Sequence, residues 1–270
     1  MEPEPLYQLI DLQPEMAERL RKAGKEMDLK QKEPWLEGML ESERAARSYE
    51  ALKNLLGEDG DQVKMLYCQL ECARRAYERY REKQIPESIY RDTMKCFSRF
   101  LGECEKKNGR MFFDRGWWTY RQISMRLFRI GTLEYEFAEH EREKAVGIHI
   151  PSDADLSWRA VEDSLEQAGH FFRTHYPDYA YCRYTCHSWL LAPALRPFLS
   201  PQSNILAFQN RFTILREDKE SRDCMEWLFR VPEDTEYEKL PEETSLQRQV
   251  KELLRSGGAV GAAYGVMEAG

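Results

Sequence analysis

GTLEYEFAEHEREKAVGIHIP, residues 131–151, is where this chain stops reading as helix and starts reading as sheet. From the glycine onward, apolar and acidic residues alternate. Leu133, Tyr135 and Phe137 fall on one side, Glu134 and Glu136 on the other. A period of two marks an extended strand with one buried face. EHEREK is a polar turn, VGIHI is a second short strand, and Pro151 stops it because proline cannot donate to a ladder. The stretch predicts a hairpin, and the rest of the chain is organised around it.

Upstream, residues 6–127 carry a helical period. Val63, Leu66, Leu70, Ala73, Ala76 and Tyr80 recur along one face of the segment Gln62–Lys83. Pro14, Pro34 and Pro86 each stand where a helix can begin, and Asn108-Gly109 where one stops. Downstream, a helix capped near Asp155 runs to His175 with Val161, Leu165, Ala168 and Phe172 as its stripe. YAYCRYTC is a third strand. SNILAFQNRFTILRE gives a short helix and then a strand, TSLQRQVKELLR a helix with a capping box at Thr244, and GGAVGAAYGVM a closing glycine-rich strand. The fold class is α+β: a helical bundle over residues 1–127 followed by a mixed α/β sheet domain over 128–270.

Composition excludes several functions. The 270 residues carry a net charge of −7, and their lysines and arginines are interleaved with glutamate, so no basic groove for nucleic acid is expected. No apolar run approaches a membrane span, and MEPEPLYQ lacks the charged and apolar regions of a signal peptide. Seven cysteines, an odd number scattered through the chain, fit a reduced, cytoplasmic protein. Cys68 and Cys72 lie beside an apolar stripe and read as core. Cys182 and Cys186 share a strand face about 13 Å apart, too far to share one metal ion. No metal is expected.

Cys186 and His187 are neighbours, but successive strand residues point to opposite faces, so a thiolate–imidazole pair is disfavoured. His187 alone, at a strand end, is either a histidine bonded to backbone or a group facing a ligand. His149 on the neighbouring strand has the same two readings, whereas His140, His170 and His175 read as surface residues. Glu134 and Glu136 either face solvent or supply a base, since amine acylation needs a group to take a proton. In FDRGWWTYR, Trp118 and Arg121 are either an anchor between parts of the chain or an aromatic wall with a cation for substrate.

FDRGWWTYRQISMRLFRIGTLEYE (113–136), IHIPSDADLS (148–157), CHSWLLAP (186–193), SNILAFQNRF (203–212) and GGAVGAAYG (257–265) together resemble a family of bacterial acyltransferases. Its members pair a helical N-terminal domain with a GNAT-like C-terminal domain. The resemblance implies transfer of an acyl group from acetyl-CoA or another acyl-CoA to an amine on a small molecule or peptide. For such a transfer the chain's own candidates are Glu134 and His187 as catalytic groups, with Glu136, His149, Trp118 and Arg121 toward the acceptor. Ser203, Asn204 and Ser188 fall toward the donor, although Ser203 and Asn204 also read as a helix cap. A homodimer is the assembly to test for. GNAT enzymes cradle pyrophosphate in a Gln/Arg-x-x-Gly-x-Gly/Ala loop at a helix N-terminus. Here that place reads HIPSDADLS, without glycine, and Asp153 and Asp155 are expected to occupy the helix N–H groups. This departure keeps open a rival of another class, a GNAT-derived binding module without transfer chemistry.

Overall fold

The computed structural model describes residues 2–269 and divides into two compact units, 1–129 and 130–270. The first is helical: α1 (Pro3–Leu9), α2 (Pro14–Glu26), α3 (Glu33–Met39), α4 (Ala45–Leu56), α5 (Val63–Glu82), α6 (Glu87–Met94), α7 (Cys96–Asn108) and α8 (Gly116–Ile123). The apolar stripe of α5 makes it the axis of this unit, and α2, α3, α4 and α8 all pack on it. Cys68 and Cys72 are buried in that stripe, where desolvation pushes both thiols up. Gln69 is the one polar side chain buried in the α5 stripe: its Nε2 donates to Gly116 O at 2.8 Å and its Oε1 accepts from Thr119 Oγ1 at 2.5 Å. That pair ties α5 to the start of α8.

A six-stranded sheet follows: β1 (Leu127–Ile130), β2 (Leu133–His140), β3 (Glu143–His149), β4 (Arg183–Ser188), β5 (Thr213–Asp218) and β6 (Ala262–Glu268), in the order β1-β2-β3-β4-β6-β5. The hairpin is tighter than EHEREK suggests. Strand pairing runs out to His140↔Glu143, leaving a two-residue loop of Glu141 and Arg142, both at positive φ, as the twist-matched hairpin turns require. Tyr179 reinforces it, its hydroxyl lying 2.7 Å from Ala138 O and 2.9 Å from Ala145 O.

α9 (Trp158–His175) covers one face of the sheet. It meets the apolar row Tyr135 and Phe137 through Phe172 and Ser164, whose Oγ lies 2.9 Å from Tyr135 Oη. The buried seam runs Val161–Ser164–Ala168–Phe171–Phe172. The expected stripe is thus shifted, and Leu165 is only half-buried.

A second apolar core gathers the 3₁₀ turns Trp189–Leu191 and Pro193–Phe198 with α11 (Asp223–Trp227) and α12 (Ser245–Arg255); α10 (Asn204–Gln209) precedes β5. α12 begins with the expected capping box, Thr244 to Gln247. In the closing segment, Gly261 (φ +69°) precedes β6, and a Cβ there would stand 2.5 Å from Asp218 O. What approaches that backbone is the end of β5. Among the described residues, no helix is long and apolar enough to cross a membrane, and no group of three or more His, Cys, Asp or Glu is placed to hold a metal ion.

Candidate active site

β3 and β4 form a parallel pair whose hydrogen-bonded ladder is short. Their register comprises Val146↔Tyr184 and Gly147↔Thr185; beyond these, Ile148–His149 and Cys186–Ser188 have no ladder partner across the gap among the described residues. Both strands stay paired on their outer sides, His149 to Glu134, His187 to Tyr264 and Ser188 to Ala263. The result is a fork, open at the C-terminal ends of two strands. Strand ends of this kind are where open α/β sheets bind ligands.

Local chemistry holds the fork apart. Pro151 removes the donor that would continue β3. At the end of β4, Ser188 Oγ accepts the Leu190 N–H at 3.1 Å and starts the buried turn Trp189–Leu191. Gln209, fully buried on α10, then donates from Nε2 to Leu190 O (2.8 Å) and Ala192 O (3.2 Å). Gln209→Leu removes the donor from both buried carbonyls and is expected to cost about 1–3 kcal/mol in a urea melt.

On the face opposite α9 lies a row of polar groups. Glu134, Glu136, His149, Thr185, His187 and Tyr264 share it by register. The two carboxylates do not simply meet solvent. Glu134 is 3% and Glu136 8% exposed. Glu136 Oε2 lies 2.8 Å from His149 Nε2, while the His149 side chain keeps 30% of its surface exposed. The pairing is diagonal: the residue directly opposite Glu136 is Gly147, and His149 lies two positions further along β3. A carboxylate on one ring nitrogen fixes the tautomer and stabilises the imidazolium when the ring takes a proton.

The remaining candidates are dispersed. His187 is exposed at the tip of β4. Cys186 points to the α9 side, buried, with its thiol pushed up to about 12 by desolvation; it is no thiolate at neutral pH. Ser188 caps the turn described above. Ser203 Oγ accepts the Leu206 N–H at 3.5 Å, and Asn204 is the exposed first residue of α10. Trp118 and Arg121 belong to α8 of the first unit, where the guanidinium lies 4.3 Å from the Trp118 ring centroid.

The loop after β3 corrects one expectation. α9 starts at Trp158, later than anticipated. Asp155 is spent on Ser157, whose N–H lies 2.8 Å from Oδ1 and whose Oγ lies 3.0 Å from Oδ2. No side chain caps the helix. Its first turn carries the positive end of an 18-residue helix, separated from the end of β3 by residues 150–157.

Two family models together cover nearly the whole chain: an N-acyltransferase N-terminal domain over residues 1–125 and a GNAT-like C-terminal domain over 127–267. The chain belongs to this GNAT-like N-acyltransferase family. No curated protein matches it. Solved structures do. The acyltransferase orf11*, studied as a mutant bound to octanoyl-CoA, superposes with a TM-score of 0.84 at 20% identity, over 99% of this chain and 87% of that one. An acyltransferase bound to decanoyl-CoA and teicoplanin superposes at 0.74 and 19% identity, over the full length of both chains. At these identities the likeness establishes a shared fold, and for this N-acyltransferase-family chain the chemistry has to be argued from its own residues.

Sequence reasoning passed over Gln209, Trp158 and Arg211. Nothing in spacing marks a buried glutamine on a six-residue helix as the clamp of a strand end. Trp158 falls at i−3 from Val161 and i−7 from Leu165, so spacing places it with the apolar stripe and its exposure carried no sequence signal.

Proposed function

We propose that the chain moves an acyl group from an acyl-CoA to an amine, with the thioester lodged in the β3–β4 fork and His149 as the base. The fork carries this reading. Two strands that part beyond a two-residue ladder leave backbone groups for an extended arm, and the uncapped start of α9 stands where an anionic pyrophosphate would follow. When bound, the donor supplies an activated carbonyl carbon.

His149 then receives one proton from the acceptor's ammonium, leaving the amine's lone pair to attack that carbon; a C–N bond forms, the C–S bond breaks, and the thiolate leaves with the proton that the new cationic nitrogen gives up. Glu136 holds the ring and balances the imidazolium. Backbone N–H groups at the fork stabilise the carbonyl oxygen as it gains charge. Glu134 stands directly across the hairpin from His149. His187, on the other arm, reaches the same opening.

The octanoyl- and decanoyl-CoA complexes of the neighbouring structures favour a medium-chain donor, and their teicoplanin complexes favour a small-molecule or peptide acceptor. The rival reading, a module without transfer chemistry, drew on acidic residues blocking the helix N-terminus. With Asp155 turned to Ser157, that argument keeps only Asp153 of its two carboxylates.

Thermal shift separates the two. Octanoyl- or decanoyl-CoA at about 100 times its Kd is expected to stabilise the fold by about 2.7 kcal/mol, a shift of several degrees. An unchanged Tm at millimolar acetyl-, octanoyl- and decanoyl-CoA would favour the module.

A further inference from the structure

Trp158 is the most exposed large hydrophobic side chain recorded, at 60%. It is the first residue of α9, immediately after the loop that leaves β3. It is also held in place. The Arg211 guanidinium lies 3.8 Å from the centre of its ring, and Arg211 is itself ion-paired with Glu162, one turn further along α9. The Arg211 side chain is 11% exposed, so the cation is tucked beneath the ring rather than waving beside it. One face of the indole is therefore covered, and the exposure comes from the other face and the edges. A rigid aromatic plate with an open face is a stacking platform for a flat heterocycle. The next residue, Arg159, is 92% exposed, with its nearest carboxylate, Asp163, 3.7 Å away. A second, exposed cation thus belongs to the same first turn of the helix.

We infer that the open face of Trp158 stacks on the adenine of the CoA donor, with Arg159 beside it for the donor's phosphates. The inference rests on the reading that the donor is an acyl-CoA. Chain order supports the assignment: the fork takes the thioester end, the start of α9 the phosphates, and the plate at that helix start meets whatever flat group comes next. Trp158 is a donor-binding residue and takes no part in bond making.

The test compares a whole donor with a truncated one. Octanoyl-CoA and octanoyl-pantetheine, which lacks the adenosine and pyrophosphate, are titrated calorimetrically into wild type, Trp158→Ala and Trp158→Phe. Stacking one base on an aromatic side chain amounts to about 5- to 150-fold in affinity. Trp158→Ala is expected to weaken octanoyl-CoA about tenfold or more and to leave octanoyl-pantetheine unchanged, with Trp158→Phe retaining most of the affinity. Equal weakening of both donors would place the ring against the acyl arm or the acceptor and overturn the assignment. So would undiminished octanoyl-CoA affinity in Trp158→Ala, and in that case wild-type donor binding leaves the transferase reading standing. Wild type binding neither donor would remove both.

Discussion

His149→Ala lowers kcat/KM for acyl transfer by about 10²–10⁴-fold, the usual range for a lost general base, and leaves donor affinity within about threefold. The physical reason is the Glu136–His149 pair. The 2.8 Å contact is made by a carboxylate only 8% exposed, on an imbalanced strand face where the partner position is glycine. Glu136→Gln keeps the shape and the hydrogen-bonding capacity but removes the charge that stabilises the imidazolium. It should therefore lower kcat more than it changes KM. Steady-state kinetics with octanoyl-CoA and a model amine, together with calorimetric donor binding, check both. A His149→Ala enzyme with unaltered kcat would transfer the role of base elsewhere, to Glu134 or His187 first.

The largest stability loss is expected from Phe172→Ala, about 3–5 kcal/mol for emptying a fully packed aromatic site. Phe172 is 1% exposed and lies within ring contact of Phe137, Phe171, Tyr176, Tyr179 and Tyr181. It is the point at which α9 grips β2 and the approach to β4. In a unit of this size each kcal/mol shifts Tm by about 2–4 °C, so calorimetry should show a fall of roughly 10 °C. Because the same helix sets the level of the β3 arm, donor binding should weaken as the unit loosens, even well below the melting transition.

Much of this architecture was legible in the sequence because burial imposes periodicity. Leu133, Tyr135 and Phe137 had to face one way, and they do. The capping box at Thr244 and the helical period of α5 are local signals read without tertiary context. The placement of Cys186 and His187 on opposite faces followed from the pleat alone. What stayed hidden depends on contacts between distant segments. Glu134 and Glu136 alternate like solvent-facing residues, and nothing within four positions reveals that they are buried. The role of Asp155 turned on a shift of the helix start to Trp158, and helix ends are where propensity discriminates least. Gln209 meets Leu190 from 19 residues away. The Trp158–Arg211 plate joins positions 53 residues apart.

Backbone hydrogen exchange with and without octanoyl-CoA bears on the fork most directly. Amides at residues 148–150 and 186–188, on the two arms, should exchange more slowly with donor bound, along with those of the first turn of α9 at 158–160. Protection confined to other parts of the chain, or a donor that binds without slowing exchange on either arm, would contradict the proposal that the parted ends of β3 and β4 receive the thioester.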